Sequence, residues 1–401
     1  MKSKRRAASG QVCKFAGMQV CKWAHHFALP AVFGATPKSE IIMSQRVLHQ
    51  FQTGAAAGDA ITAQALLLRG WLRDLGFTSH IYAQHIDPSV AGEARPLVSY
   101  RRQRGETWAI YRHSIGSDVP DFLSRQRLRL LLIYHNVTPP AFFAGVDPQR
   151  AHLAALGEAQ LRALRPHTGL ALADSPFNAQ ALRAAGYGET AVLPIALDPA
   201  AYDLSPDPAV VAQLRRTGPN LLFVGRLAPN KKQEDLVKLL YFYRRIRPGA
   251  HLYLVGDRWQ IGYDRWVEEL AADLGVADGL TLSDKVSQQA MVTYYKTADL
   301  YVSLSEHEGF GVPLVESMLL GLPVLAYAET AVPDTMGAGG VRVYRKDYER
   351  LAELVDILVH DQALRARLIA GQNANAQRFL APNVRRTFET YLQRINLYPP
   401  P

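Results

Sequence analysis

Two kinds of apolar spacing alternate along the chain. Short apolar runs of four or five residues separate longer stretches in which apolar residues return every three or four positions. The first kind reads as strands and the second as helices. The pattern predicts strands over 46–51, 80–83, 108–111, 130–134, 170–173 and 191–194. The run 130–134 is apolar throughout, as a strand buried on both faces of a parallel sheet should be. Between the first two strands, Ile61, Ala65, Leu68, Leu72 and Leu75 mark one helix face, and Gly76 closes that helix. A second series follows at 221–224, 252–255, 280–282, 300–303 and 324–327, again with helices between. Strict alternation in both series predicts an α/β chain of two Rossmann-like, doubly wound parallel-sheet domains facing a cleft.

The proline- and aspartate-rich stretch between the series reads as a junction. The expected organisation is a leader at 1–42, a first domain at 43–200, a linker at 201–219, a second domain at 220–380 and a C-terminal helix at 381–401. That last helix is expected to pack back on the first domain.

Composition changes this picture in one place. The net charge of +9 invites a nucleic-acid reading, but residues 1–42 hold seven basic side chains and one acid. The remainder carries 38 basic and 35 acidic residues, enough positive charge for phosphates but no broad nucleic-acid footprint. Both cysteines, Cys13 and Cys21, also lie in the leader, so the body has no cysteine metal site and no disulfide framework. That suits a reducing compartment, and the expected location is cytoplasmic. The leader shows no period and reads as a disordered extension, or as a start placed upstream of true initiation at Met43. Two alternatives stay open. One is a targeting peptide around the apolar stretch 27–35. The other is a basic arm for acidic lipid, giving peripheral contact at the inner membrane face. No run of 18 apolar residues occurs, so no membrane-crossing helix is expected.

The strongest chemical signal is the run from Glu306 to Glu316, Glu-His-Glu-Gly-Phe-Gly-Val-Pro-Leu-Val-Glu. A strand ends just before it, and Pro313 suits the first turn of a helix. Amides from Gly311 to Leu314 at that helix start would suit a phosphate. Glu308 and Glu316, with seven residues between them, could accept hydrogen bonds from sugar hydroxyls on either side of a diphosphate. The second signal is Gly225-Arg226-Leu227-Ala228-Pro229-Asn230-Lys231 after a strand. There Arg226 offers a fork and Lys231 a point charge to phosphate oxygens.

These two motifs resemble the family 4 retaining glycosyltransferases, whose fold is GT-B. The resemblance covers roughly residues 46–395, specifically in the second half and more loosely in the first. It implies that Glu308 is a sugar-hydroxyl ligand and Glu316 a ribose ligand, and that Gly225, Arg226 and Lys231 hold the diphosphate. Gly309, Phe310, Gly311 and Val312 then line the donor. Lys285 and Val286 resemble the nucleobase seat, and Gly54 to Gly58 resemble a glycine loop that approaches the donor. Many members read Gly-Gly-Ala-Glu there, where this chain has Gly58-Asp59-Ala60. Lys232 likewise stands where many members carry glycine. His135 resembles a histidine facing the reacting sugar, while His113, Asn136 and Ser175 are weaker acceptor candidates.

The implied reaction is transfer of a hexose-type sugar, with retention, from a GDP-mannose or UDP-glucose type donor to a glycan or lipid-linked acceptor in cell-surface polysaccharide synthesis. Front-face displacement needs no enzymic nucleophile, because the leaving diphosphate can take the acceptor's proton. The catalytic set is Arg226, Lys231, Glu308 and His135. No acidic triad with metal-ligand spacing occurs, so neither a metal nor a cofactor is expected. Two alternatives are a catalytically silent nucleotide-sugar-binding subunit and a dinucleotide oxidoreductase. The latter needs Gly-x-Gly-x2-Gly after the first strand, and Gly54 to Gly58 lacks that spacing.

Overall fold

The computed structural model describes residues 46–258 and 262–399. The readings of the leader lie outside the described residues.

The first domain is a seven-stranded parallel sheet. Its strands are β1 (His49–Ala55), β2 (Ile81–Ile86), β3 (Ala94–Pro96), β4 (Trp108–His113), β5 (Arg129–Tyr134), β6 (Thr168–Ala173) and β7 (Thr190–Val192), in spatial order β3-β2-β1-β4-β5-β6-β7. The central strand β5 shows why its sequence is apolar throughout. Leu130, Leu132 and Tyr134 enter the core on one face, with Phe51 and Tyr111. Leu131 and Ile133 enter the other, with Leu68, Trp71 and Ile110.

The second domain repeats the plan with six parallel strands. They are β8 (Asn220–Val224), β9 (His251–Val255), β10 (Leu280–Ser283), β11 (Leu300–Ser303), β12 (Val324–Tyr327) and β13 (Val341–Val343), ordered β10-β9-β8-β11-β12-β13. In both sheets the strand order reverses beside the first strand, and such switch points open a crevice at the carboxyl edge. At that edge of the second sheet, Gly225 and Gly256 cross. A methyl group on Gly256 would sit 2.3 Å from the Gly225 carbonyl oxygen, so the crossing admits no side chain.

Three sequence expectations need correction. The strand expected over 46–51 breaks at Leu48. Arg46–Val47 pairs with Phe77–Thr78 apart from the main sheet, while β1 runs on through Gly54 because β2 extends beside it, Gly54 opposite His85. Gly54 is therefore a strand residue and not part of a loop. The linker at 201–219 contains an α-helix, Pro208–Leu214, whose Val210 and Leu214 join the second domain's core. Its prolines and aspartates looked like punctuation, yet Asp207 caps the helix and Pro208 is its first residue. The strands at Ala94–Pro96 and Val341–Val343 were not anticipated, since three residues give no readable period.

The helix Ala381–Arg394 follows the whole second domain yet buries its apolar stripe in the first. Val384, Phe388 and Leu392, spaced four apart, pack with Leu48, Trp71, Leu131 and Leu170. Burying each such side chain stabilises by about 1.5–3 kcal/mol. Arg385 reaches Asp74 at 2.8 Å, and the Tyr391 hydroxyl donates to the Val192 carbonyl at 2.9 Å. Among the described residues no helix is long and apolar enough to cross a membrane.

Candidate active site

The carboxyl edge of the second sheet gathers the charged motif residues. The Asn230 carbonyl accepts the Glu306 amide at 2.9 Å, and the Asn230 side chain donates to the His307 carbonyl at 3.0 Å. These bonds strap the loop after β8 to the loop after β11. The strap brings Lys231 Nζ to 2.5 Å from Glu308 Oε2, with both side chains mostly covered. Behind them, Lys232 adopts a left-handed conformation, φ 55° and ψ 45°. That geometry favours glycine, and the lysine holds it while pairing with Glu234 at 3.3 Å and Glu306 at 3.4 Å. His307 is buried, and burial with the nearby Lys231 charge pushes its pKa down to about 4. Arg226 is an exposed side chain within electrostatic reach of Asp59, Asp257 and Arg150.

The helix after the glycine loop is Val312–Leu319, with Gly311 before it at φ 86°. The expected four-amide cradle is smaller than its sequence suggested. Pro313 has no N–H, and the Leu314 amide donates to the Gly311 carbonyl at 3.0 Å. At most the Gly311 and Val312 amides remain for an anion. Phe310 lies in an apolar cluster with Ile195, Leu197 and Phe379, so only its backbone can face a ligand. Glu316 is buried, and each carboxylate oxygen accepts a tyrosine hydroxyl, Tyr202 at 2.8 Å and Tyr295 at 2.7 Å. Burial raises its pKa, and the two hydroxyls pull it part of the way back. Lys285 is exposed and its chain reaches Gly58 of the first domain, 3.5 Å from where a methyl group on that glycine would stand. Val286 packs against the second domain's core.

The first domain's candidates divide differently. His135 follows β5 and is buried, with Nδ1 3.2 Å from Asp174 Oδ2 and its Nε2 without a hydrogen-bond partner. Asp174 follows β6, and the Tyr134–Ala173 register sets the two residues side by side. Burial raises the Asp174 pKa against the opposing pull of His135 and Asn178. The three acceptor candidates are withdrawn from the cleft. His113 is fully buried, with Nε2 2.8 Å from the Gly157 carbonyl and Nδ1 3.0 Å from the Tyr111 hydroxyl. Asn136 donates to Asn178 at 2.6 Å. Ser175 caps a helix and donates to the Gly309 carbonyl at 2.9 Å. Polar residues at strand ends are as useful for joining two domains as for meeting a substrate, and the sequence alone does not separate these uses.

Sequence reasoning also missed a cavity of about 710 Å³ at the carboxyl edge of the first sheet. Thr53, His85, Asp87, Ser114, Thr138 and Arg150 line it, with Arg226 from the second domain. The six first-domain residues come from five separate segments and share no motif. The His135–Asp174 pair did carry a signal, since two adjacent strands both end in polar residues.

Residues 210–375 match the family model described as glycosyl transferases group 1. A D-inositol 3-phosphate glycosyltransferase of Stackebrandtia nassauensis is 32% identical over 202 residues, 47% of this chain and 45% of that protein. A GDP-mannose-dependent alpha-(1-6)-phosphatidylinositol monomannoside mannosyltransferase of Mycobacterium tuberculosis is 32% identical over 171 residues, 39% of this chain and 44% of that protein. The chain spans a little under half the length of these curated relatives. Solved structures cover both domains. Anabaena HepE in complex with UDP-glucose superposes with a TM-score of 0.68 at 17% identity, over 87% of this chain and 99% of that one. Sucrose-phosphate synthase from Thermosynechococcus elongatus gives 0.68 at 18%, over 88% and 99%. At these identities the likeness is one of fold, the two-sheet GT-B arrangement. Set within that arrangement, the stretch that matches the glycosyl transferases group 1 model, residues 210–375, takes in all six strands of the second sheet.

Proposed function

We propose that this protein transfers a hexose-type sugar from a nucleoside diphosphate sugar to an acceptor hydroxyl, with retention and without a metal. The observation that carries the reading is the Lys231–Glu308 pair, strapped beside the Gly311 helix start in a domain of the matching family. A cation for the diphosphate and a carboxylate for the sugar must lie next to each other, because the bond that breaks joins those two groups.

Arg226 and Lys231 neutralise the charge that grows on the departing diphosphate, a preorganised role that needs no bound cation. Glu308 accepts hydroxyls of the transferred sugar, and His135 faces that sugar from the first domain. The departing diphosphate oxygen takes the acceptor's proton. Glu316 supports the ribose. Its oxygens already hold Tyr202 and Tyr295, and a carboxylate keeps further lone pairs for a ribose hydroxyl. Lys285 and Val286 border the base. The first-domain cavity takes the acceptor, so the reacting hydroxyl and the donor meet where Arg226 borders both. Relatives that act on inositol phosphate and phosphatidylinositol monomannoside support a polyol or glycolipid acceptor, and donors of the GDP-mannose and UDP-glucose type head the candidates.

The test is a panel of nucleotide sugars, with and without acceptor, followed by NMR of the product anomer in the presence of a chelator. Hydrolysis or transfer of one donor with its anomeric configuration kept is the expected result. Binding of every donor with turnover of none would instead identify a silent nucleotide-sugar-binding subunit.

A further inference from the structure

Two features of the His135 environment have no part in the scheme above. The first is a buried ring nitrogen, Nε2, with no partner. The second is an unbroken set of hydrogen bonds from the other side of that ring to the glycine loop of the second domain. Asp174 holds His135 Nδ1 through Oδ2, and its Oδ1 accepts a hydrogen from the Asn178 side-chain amide. The same Asn178 nitrogen donates its second hydrogen to the Gly309 carbonyl at 2.9 Å. Ser175 donates to that carbonyl as well, so both of its lone pairs are taken from the first domain. Gly309 fits there because it lacks a side chain. A methyl group would lie 2.6 Å from the His135 carbonyl oxygen and 3.0 Å from Asn136 Cβ.

Two consequences follow from elementary chemistry. An ionised carboxylate only accepts, so a neutral His135 must carry its proton on Nδ1 and present Nε2 as a bare lone pair. A peptide group is planar and trans, so fixing the Gly309 carbonyl toward the first domain turns the Phe310 N–H the opposite way, into the second.

We propose that Asp174 and Asn178 are positioning residues: Asp174 sets the tautomer that offers His135 Nε2 to a hydroxyl of the substrate, and Asn178 ties that setting to the Gly309 peptide. One asparagine thereby aligns the histidine of one domain with the glycine loop of the other. The proposal rests on the sugar-transfer reading for its substrate, while its claim about the ring stands apart from that reading.

The experiment is Asp174→Asn in the full chain. Asparagine has nearly the same shape but can donate to Nδ1, which would move the ring proton to Nε2. Histidine ring 15N and 13C shifts, assigned by loss of the signal in His135→Ala, report the tautomer directly. The expected wild-type state has the proton on Nδ1, and the variant state has it on Nε2. Turnover should fall about tenfold or more, with donor KM and melting temperature nearly unchanged. In the His135→Ala background, Asp174→Asn should cost nothing further. Asn178→Ala should leave a mixture of tautomers and an intermediate kcat. A wild-type proton on Nε2 overturns the proposal, as does a tautomer switch that leaves kcat unchanged. Absence of turnover in the wild type with every donor would end the sugar-transfer reading, and the spectra would still decide the claim about the ring.

Discussion

The two domains share one architecture but carry their chemistry differently. In the second, the charged groups sit on loops directly after strands, and neighbouring loops strap them together. Their residue types follow from local backbone demands, such as glycine where Gly225 and Gly256 cross and proline where a helix starts. In the first, the polar strand ends are drawn into hydrogen bonds with each other and with Gly309, and the open cavity is lined by scattered residues. Local chemistry writes a motif, whereas assembled chemistry leaves residues with no spacing in common. The second domain accordingly concentrates its charged groups in two motifs, and the first spreads its polar groups over separate strand ends.

The largest expected effect tests the second domain. Lys231→Met keeps the chain length and removes the cation, leaving Glu308 without its partner. Transfer should fall by about 10²–10³ in kcat, the usual cost of deleting one preorganised donor from a developing negative charge. Steady-state kinetics with saturating acceptor measures it, and a change below threefold would detach Lys231 from the diphosphate.

Acid should find the first domain first. Burial lowers His49 to about 4, with the His80 and Arg95 charges adding to it, and burial lowers His113 to about 4 as well. A base held neutral in the fold contributes stability that is complete above its unfolded value of 6.5 and is lost as pH falls toward 4. Between pH 6.5 and 5 each histidine should cost about 2 kcal/mol. Hydrogen exchange at pH 5 should loosen β1 and β4 before β8 and β9, although His307 places one such group in the second domain too. Simultaneous loosening would show that the domains unfold as one unit.

Glu308 and Glu316 are similar in sequence context and different in surroundings. Glu316→Gln puts an amide against one of two tyrosine hydroxyls in a buried site, and should destabilise the fold by about 1–3 kcal/mol while weakening nucleoside diphosphate binding. Glu308→Gln should leave the melting temperature and nucleotide binding intact and depress transfer. Calorimetry on both variants separates them, and the reverse pattern would exchange their roles.

The smallest effect probes the cavity. Thr138→Trp fills space in the cavity that Ser114 and Phe143 also line, at a position in the first domain. Acceptor KM should rise about tenfold, a loss of roughly 1.4 kcal/mol, with donor hydrolysis unchanged. An equal loss of hydrolysis would place the donor's sugar in that cavity.

Much of this was legible in the chain. Full apolarity over 130–134 was enough to predict burial on both faces, and Leu130 to Tyr134 do divide between two cores. The Arg226, Lys231 and Glu308 motifs were legible because backbone geometry fixes their spacing. What failed to show had physical causes. Asp207-Pro208 reads equally as a linker or as a capped helix start until Val210 and Leu214 find a core. The partners of Glu316 lie 114 and 21 residues away, beyond any local pattern. His113 and His135 look alike as histidines at strand ends. Only the surroundings distinguish a ring with both nitrogens occupied from one with a nitrogen to spare.

The helix at Ala381–Arg394 has a consequence for how the protein is made. A ribosome releases the first domain's sheet early, but the stripe of Val384, Phe388 and Leu392 that covers Leu48 and Trp71 is translated only after the entire second domain. Until then the nascent first domain exposes an apolar face and is open to chaperones and to self-association, while the second domain can already close around its own core. The earlier domain is therefore completed only after the later one has been made.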